Sequence, residues 1–312
     1  MIKDLFLSGK TAIVTGGGGG IGRAIALGLS HAGANVLVND LGVSVSGDSE
    51  ARNPADTVVE EIEAQGGRAS ANHGSVAEAK ATEKMVEQAL DTFGSIDIVI
   101  NNAGIIRMGE FPQMSRSDWE AVLRVNLQGS FYLSRAAAPH FRAQAGGAYL
   151  HLTSASGLIG STSQANYAAS KLGIVGLSRA IALDLGQHGV RSNCLAPSST
   201  SRMTELTDNA RKHLMSPEKY EALKRMRAAS APERIVPLIA YLVSDRARGI
   251  NGQVFGARGN EIYLYGQHRP VRMMHAAEGW TPAQADERLP AGLGAFATPL
   301  EVITDVFTWP PA

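Results

Sequence analysis

Two residues of opposite acid–base character stand one helical turn apart in the stretch QANYAASKLG: Tyr167 and Lys171, at positions i and i+4. On a helix that spacing puts both side chains on one face. A phenol with its ordinary pKa of about 10 is a poor base at neutral pH. A neighbouring ammonium stabilises the phenolate and lowers that value. So placed, Tyr167 can take the hydroxyl proton of an alcohol or return it to a ketone. The flanking Ala165, Ala168, Ala169 and Ser170 are small and leave room against the helix. A solvated surface Tyr–Lys pair has the same spacing, so the pair needs partners to count. Ser154 is one: it ends the run LHLTS, thirteen residues before the tyrosine. There its hydroxyl can hydrogen-bond an oxygen on which charge develops. Ser156 is its competitor. Asn126, in RVNLQGSF, is a polar side chain inside a helical stretch. It either binds water leading from Lys171 to solvent or simply bonds the backbone.

A second chemistry-bearing stretch lies near the start. IVTGGGGGIGRAIA follows an apolar run and opens a helical one, with Gly16, Gly20 and Gly22 spaced G-x-x-x-G-x-G. The glycines allow a tight turn and close approach of backbone to a pyrophosphate, and the helix N-terminus offers free N–H groups. The next apolar run ends LVND. A carboxylate at that point, Asp40, accepts hydrogen bonds from an adenosine ribose and repels a 2′-phosphate, which points to NAD rather than NADP. A turn or helix cap is the bland alternative for Asp40. INNAGI, at 100–105, ends another apolar run, and its small residues suit close backbone approach to the adenine side of a dinucleotide.

The elements that position these residues follow from the alternation of short apolar runs with longer amphipathic ones. TAIVTG, NVLVND, GRASANH, IDIVINNAG, GAYLHLTS, VRSNCLAP and GQVFGA read as seven strands. Most are β-branched or continuously apolar, as expected when both faces of a sheet are covered. Helical stretches fall at 21–32, 54–65, 76–93, 116–143, 165–187 and 232–245. The repetition predicts an α/β domain over residues 1–258: a doubly wound parallel sheet of seven strands with helices on both faces. Residues 41–53 form a polar loop, and residues 198–231, polar and helical, read as a lid on the carboxyl side of the sheet. Residues 259–312 form a C-terminal extension. From residue 266 it holds six of the thirteen prolines, which breaks the α/β rhythm. Thr281 and Pro282 there mark the start of one short helix. Trp280, Phe296, Phe307 and Trp309 need burial, on the main domain or on a neighbouring subunit.

Charge and cysteine usage exclude several classes. Lys plus Arg and Asp plus Glu number 29 each, and no basic run of five or more residues occurs. That argues against nucleic acid and anionic lipid as partners. No apolar run approaches the ~18 residues of a membrane span. The single cysteine, Cys194, cannot form an internal disulfide and reads as an inert core thiol. No His/Cys/carboxylate cluster has metal-ligand spacing. The N-terminal MIKDLFLSGKTAIVTG lacks a signal-peptide pattern, so a cytoplasmic protein is expected.

The motifs TGGGGGIG, NNAG, VNLQGSF and Ser154…Tyr167…Lys171, in that order, resemble the short-chain dehydrogenase/reductase family over roughly residues 5–258. The resemblance implies a Rossmann-type sheet and hydride transfer between a nicotinamide cofactor and a carbonyl or alcohol. It carries catalytic roles to Asn126, Ser154, Tyr167 and Lys171. It places the cofactor on Gly16, Gly20, Ile21, Gly22, Asp40, Leu41, Ser75, Asn102, Ala103, Gly104 and Pro197, with Tyr167 and Lys171. VLVNDLG, NNAGIIR, TSASGLIG and SRMTEL are similar to the dehydrogenase part of peroxisomal multifunctional enzyme type 2 (17β-hydroxysteroid dehydrogenase type 4-like) and its bacterial relatives. That branch implies NAD, a 3-hydroxyacyl-CoA or 17β-hydroxysteroid substrate, and a homodimer or homotetramer. The terminal WPPA is not a peroxisomal signal. Two departures stand out. NHGSV has no aspartate after the third strand, leaving Ser75 to substitute, and APSSTSR lacks the usual Pro-Gly, Pro197 being followed by Ser198. A general ketone or 3-oxoacyl reductase, and an inactive nucleotide-binding scaffold, are the competing functions.

Overall fold

The computed structural model describes residues 5–42, 53–199, 216–218, 220–221 and 230–309. Each of the seven apolar runs forms a strand: β1 Thr11–Thr15, β2 Asn35–Asn39, β3 Ala69–Asn72, β4 Ile98–Asn101, β5 Gly147–Leu152, β6 Val190–Ser198 and β7 Val254–Arg258. These seven are mutually parallel. The sheet has one strand more than the seven expected. β8, Glu261–Leu264, returns antiparallel to β7 and gives the order β3-β2-β1-β4-β5-β6-β7-β8. The physical reason is a tight turn: Gly259, at φ 60, sits in the left-handed region that reverses the chain.

The continuous apolar runs have two sides to bury. Ala12 and Val14 of β1, Val36 and Val38 of β2, and Ile98 and Ile100 of β4 pack into one cluster with Ile25, Leu29, Val58 and Ile239. Ile13, Leu37 and Val99, the alternate residues of the same strands, pack with Met85, Val86, Leu133 and Phe141 on the other side. Period-2 alternation therefore feeds two cores rather than a core and a solvent face.

Helices with both ends among the described residues are α1 Gly20–His31, α2 Pro54–Ala64, α3 Ala79–Phe93, α4 Arg116–Leu123, α5 Gly129–Ala143, α6 Ala155–Leu158, α7 Ala165–Leu185, α8 Val236–Val243, α9 Pro282–Gly292 and α10 Ile303–Val306. Local chemistry sets several ends. Asn53 caps α2 by accepting from Ala55 N, with Pro54 in the first turn. Gly94, at φ 83, closes α3. Thr281 and Gln284 form a capping box at α9, as Thr281 and Pro282 predict. The single helix expected at 116–143 is interrupted by a π turn, Arg124–Gln128, between α4 and α5. Such insertions re-aim a side chain, and Asn126 lies inside this one.

β8 is the first part of the 259–312 extension and joins the main sheet, and the end of the extension folds back on it. Phe307 packs against Tyr263 at 5.3 Å between ring centroids, and Trp309 Nε1 donates to Glu261 Oε1 at 2.8 Å. Its aromatics are not fully buried within one chain: Trp280 is 39%, Phe296 52% and Trp309 48% exposed. Among the described residues no helix is long and apolar enough to cross a membrane.

Candidate active site

Strand order reverses between β1 and β4, since β1 pairs β2 on one side and β4 on the other. In such a sheet a crevice opens at the carboxyl ends of the strands at that point. It does so here, and it gathers residues from the ends of β1, β2, β4, β5 and β6 together with α7.

The glycine loop forms the crevice floor. Gly16 and Gly20 take φ 62 and φ 49, in the left-handed region that favours glycine. Gly22 is the tightest point: a Cβ there would lie 1.9 Å from Gly16 O. No side chain caps the first turn of α1, so its N–H groups stay open toward the crevice. Asn102 Nδ2 ties β4 to the loop, donating to Thr15 O at 2.8 Å and Gly16 O at 3.1 Å. Ile21, Ala103 and Gly104 complete this part of the wall. A loop that a single methyl group would obstruct, facing an open helix N-terminus, fits a dinucleotide's pyrophosphate.

Asp40 and Leu41 line the far end. Asp40 Oδ2 accepts from Gly18 N and Oδ1 from Gly42 N, both at 3.0 Å. The carboxylate thus does both things its position allows: it holds the turn, and it faces the crevice. Ser75 also lines the crevice, with its hydroxyl accepting from Ala77 N at 3.2 Å. Asn39 lies beside them and escaped the sequence reading. Its Nδ2 donates to Asn72 Oδ1 and Gly74 O, both at 2.8 Å, and so fixes the wall that Ser75 belongs to. The sequence signal was present, as a polar residue next to Asp40 in an otherwise apolar strand.

Ser154, Tyr167 and Lys171 meet at the opposite end. Ser154 Oγ accepts from Ser156 N at 3.2 Å, and its hydroxyl is placed to favour the phenolate form of Tyr167. Ser156 does not line the crevice, which separates the two competitors. Lys171 Nζ donates to Leu152 O at 2.7 Å and sits 5.6 Å from the centre of the Tyr167 ring. Burial pushes the Tyr167 phenol up to about 12, against the hydrogen bond from Ser154, and pulls Lys171 down to about 8. The i, i+4 ammonium by itself therefore does not depress the phenol: desolvation by burial is the larger effect, and one of the three ammonium N–H groups is engaged by Leu152 O.

Asn126 is wholly buried and is not on the crevice wall. Its Oδ1 accepts from Ile105 N at 2.8 Å, and its Nδ2 donates to Ile105 O and Ser170 Oγ, each at 3.1 Å. A Cβ on Gly104 would lie 3.2 Å from Asn126 Oδ1 and 3.6 Å from Lys171 Nζ. The missing side chain at Gly104 keeps the space between those two polar groups open. Pro197 of β6 and Ser199 line the crevice beside Ser154. Ser199 Oγ donates to Ser230 O at 2.7 Å, tying together the two ends of the long excursion. The lid expected at 198–231 lies, for its greater part, outside the described residues, as do residues 43–52 of the polar loop.

Behind the site runs a buried polar chain that no motif announces. Asn101 Nδ2 donates to Ser134 Oγ at 2.9 Å and to His151 Nδ1 at 3.1 Å. That leaves the proton on His151 Nε2, which donates to Ser192 Oγ at 3.2 Å. His151 is fully buried, and burial together with the charge of Lys171 pulls its pKa down to about 3.

The crevice at the switch point, the glycine loop beneath it and the Ser–Tyr–Lys group are the arrangement of a doubly wound α/β protein with a nucleotide-sized cleft. Comparison with known proteins makes this specific. Residues 10–214 match the family model described as short chain dehydrogenase, and the chain belongs to that family. It is 43% identical over 255 residues to peroxisomal multifunctional enzyme type 2 of Mus musculus, which spans 82% of this chain and 32% of that protein. The chain thus spans about a third of that relative's length. It is 35% identical over 295 residues to the hydroxyacyl-CoA dehydrogenase ChsB1 of Mycobacterium tuberculosis, covering 89% of this chain and 86% of that one. The crystal structure of a short chain dehydrogenase from Mycobacterium avium superposes with a TM-score of 0.82 at 35% identity, covering 95% of this chain and 99% of that chain. The chain is therefore a member of the short chain dehydrogenase family, whose fold and crevice it shares.

Proposed function

We propose that this protein interconverts a secondary alcohol and a ketone with NAD, on a 3-hydroxyacyl thioester such as a 3-hydroxyacyl-CoA. The observation that carries the reading is the meeting of Ser154, Tyr167 and Lys171 on one crevice wall, with Lys171 Nζ 5.6 Å from the centre of the Tyr167 ring. The name of the mycobacterial relative, a hydroxyacyl-CoA dehydrogenase, supports the thioester. Asp40 at the end of β2 supports NAD, because its carboxylate would repel a 2′-phosphate.

The glycine loop would hold the pyrophosphate, Asp40 the adenosine ribose, and the Lys171 end of the crevice the nicotinamide half, and the group would supply hydride-transfer chemistry there. The chain's own residues move the proton. Ser154 Oγ hydrogen-bonds the reacting oxygen and so fixes it beside the phenol. In reduction, Tyr167 donates its Oη proton to the oxygen as that oxygen gains charge. A phenol held at about 12 carries that proton at neutral pH, and a lysine at about 8 remains cationic beside it. Asn126 holds the Ile105 backbone and Ser170, and so keeps the wall beside Lys171 in place.

The protein also associates with copies of itself on this reading. Phe131 on α5 and Leu183 on α7 are 44% and 82% exposed on one chain, which supports a homodimer or homotetramer.

The test is reduced-dinucleotide formation with panels of 3-hydroxyacyl-CoA thioesters and 17β-hydroxysteroids, with NAD and NADP compared. Turnover of the steroids alone refutes the thioester. Tyr167→Phe abolishes turnover and leaves NADH binding intact. Wild-type rates in that variant refute the proton-transfer role.

A further inference from the structure

Three side-chain amides stand behind the Asp40 end of the crevice, and each fixes the orientation of the next. Gln88 Nε2 donates to Ala71 O at 2.8 Å. A backbone carbonyl cannot donate, so the other end of that amide is its oxygen, which accepts from Asn72 Nδ2 at 2.7 Å. Asn72 Oδ1 then accepts from Gly74 N at 2.9 Å and from Asn39 Nδ2 at 2.8 Å. Asn39 Nδ2 donates also to Gly74 O at 2.8 Å, with Asn72 O at 3.3 Å. Three acceptors surround that nitrogen, so the Asn39 amide cannot be turned the other way. Its oxygen is the free end of the chain.

Asn39 is the last residue of β2, on the strand face it shares with Leu37, which packs in the core. It is only 2% exposed, and it lines the crevice. No donor among the described residues reaches its Oδ1. Five unpaired polar atoms of the described residues are sealed from solvent, on Gln164, Arg179, Arg258, Glu261 and Tyr265, and Asn39 Oδ1 is not one of them. An unpaired oxygen that stays accessible on so buried a residue opens where the residue does, onto the crevice. Leaving such an acceptor without a donor is costly. The groups around it are already engaged. Asp40, the next residue, accepts from Gly18 N and Gly42 N and is assigned to the ribose. Gly74 has no side chain, and Ser75 Oγ accepts from Ala77 N at 3.2 Å.

A free acceptor beside the ribose carboxylate meets the part of the dinucleotide attached to that ribose, the purine. Adenine carries one exocyclic amino group, with two N–H donors. We propose that Asn39 Oδ1 accepts a hydrogen bond from that amino group and so reads the base as adenine. The assignment rests on the dinucleotide reading above. It moves base recognition from the β3–α3 loop, where the sequence points to Ser75, to the end of β2. A purine with an oxo group at the same position sets oxygen against oxygen, so the same atom that binds adenine rejects hypoxanthine.

The experiment measures affinity by fluorescence titration on the whole 312-residue chain, with no turnover needed. The probes are NADH and its deamino form, in which hypoxanthine replaces adenine. Wild type is expected to bind NADH about tenfold more tightly, the size of one hydrogen bond. Asn39→Ala and Asn39→Ser, each checked for folding by circular dichroism, lose that preference by falling on NADH more than on the deamino form. An equal fall on both dinucleotides keeps the preference; it overturns the assignment and leaves Asn39 as a residue that only holds the wall. Equal affinities in wild type also overturn it, while leaving the dinucleotide reading intact and needing no variant to fold. Binding of neither dinucleotide by wild type overturns both.

Discussion

His151 should make this protein acid-sensitive in a way that can be calculated. The imidazole is fully buried in β5, and burial together with the Lys171 charge lowers its pKa from 6.5 to about 3. In the unfolded chain it titrates near the ordinary value. Between pH 6.5 and pH 3 the unfolded state therefore binds more protons than the folded one. Stability contributed by neutral His151 is present above pH 6.5 and is lost progressively as pH falls through that window. The linkage relation gives a loss of about 2 kcal/mol between pH 7 and pH 5, and on the order of 5 kcal/mol by pH 3. His151→Gln removes the titration and leaves an amide able to bond Asn101 and Ser192. Urea unfolding followed by circular dichroism at pH 7, 6 and 5 isolates the effect, because exposed groups titrate alike in both proteins. Wild type should lose about 2 kcal/mol more than the variant between pH 7 and pH 5. Stability curves that run parallel for the two proteins over this range would refute the buried neutral histidine.

Other outcomes follow from the crevice. Asp40→Ala should move the NADH-to-NADPH ratio of kcat/KM toward NADPH by about tenfold or more, since one carboxylate facing a 2′-phosphate is removed; an unchanged ratio means that Asp40 serves only to hold Gly18 and Gly42. Gly22→Ala puts a methyl 1.9 Å from Gly16 O; it should weaken NADH binding by fluorescence titration by at least tenfold and lower stability by about 1–3 kcal/mol. Lys171 loses its charge through a pKa of about 8, so kcat/KM for ketone reduction should fall above that pH in wild type. Lys171→Arg, cationic throughout, should not show that alkaline limb, and an identical limb in both proteins would assign it to another group.

Much of this architecture is legible in the sequence because two faces of each strand had to be apolar. TAIVT, NVLVN and IDIVI leave no room for a solvent face, and the structure splits each between two cores. The glycine loop was legible for a similar reason: only glycine fits where Gly22 meets Gly16 O. The eighth strand carried a signal as well, since the Gly259–Asn260 pair between VFGAR and EIYL is a hairpin turn. The π turn at Arg124–Gln128 carried none. A change from i+4 to i+5 hydrogen bonding inserts one residue into the helix register, and a single polar side chain such as Asn126 does not reveal it. The Asn101–His151–Ser192 chain was hidden too. LHL reads as an apolar strand with one odd member, and its partners come from 41 and 50 residues away in the chain.

The spacing of Tyr167 and Lys171 shows where two groups meet, but burial decides which protons they hold. Removing both from water favours the neutral form of each, which raises the phenol to about 12 and lowers the ammonium to about 8. At neutral pH the phenol is consequently loaded with its proton, and the lysine, though still charged, is within about one unit of losing it. This resting state is set for proton delivery to a ketone oxygen. Alcohol oxidation has the further requirement that the phenolate form at neutral pH, and added positive charge near the ring would act in the same direction as Ser154, which already favours the phenolate. Oxidation should therefore rise with pH over a range where reduction does not, and measuring both directions on one substrate between pH 6 and pH 9 tests it. Parallel profiles in the two directions would mean that the tyrosine's ionisation does not limit oxidation.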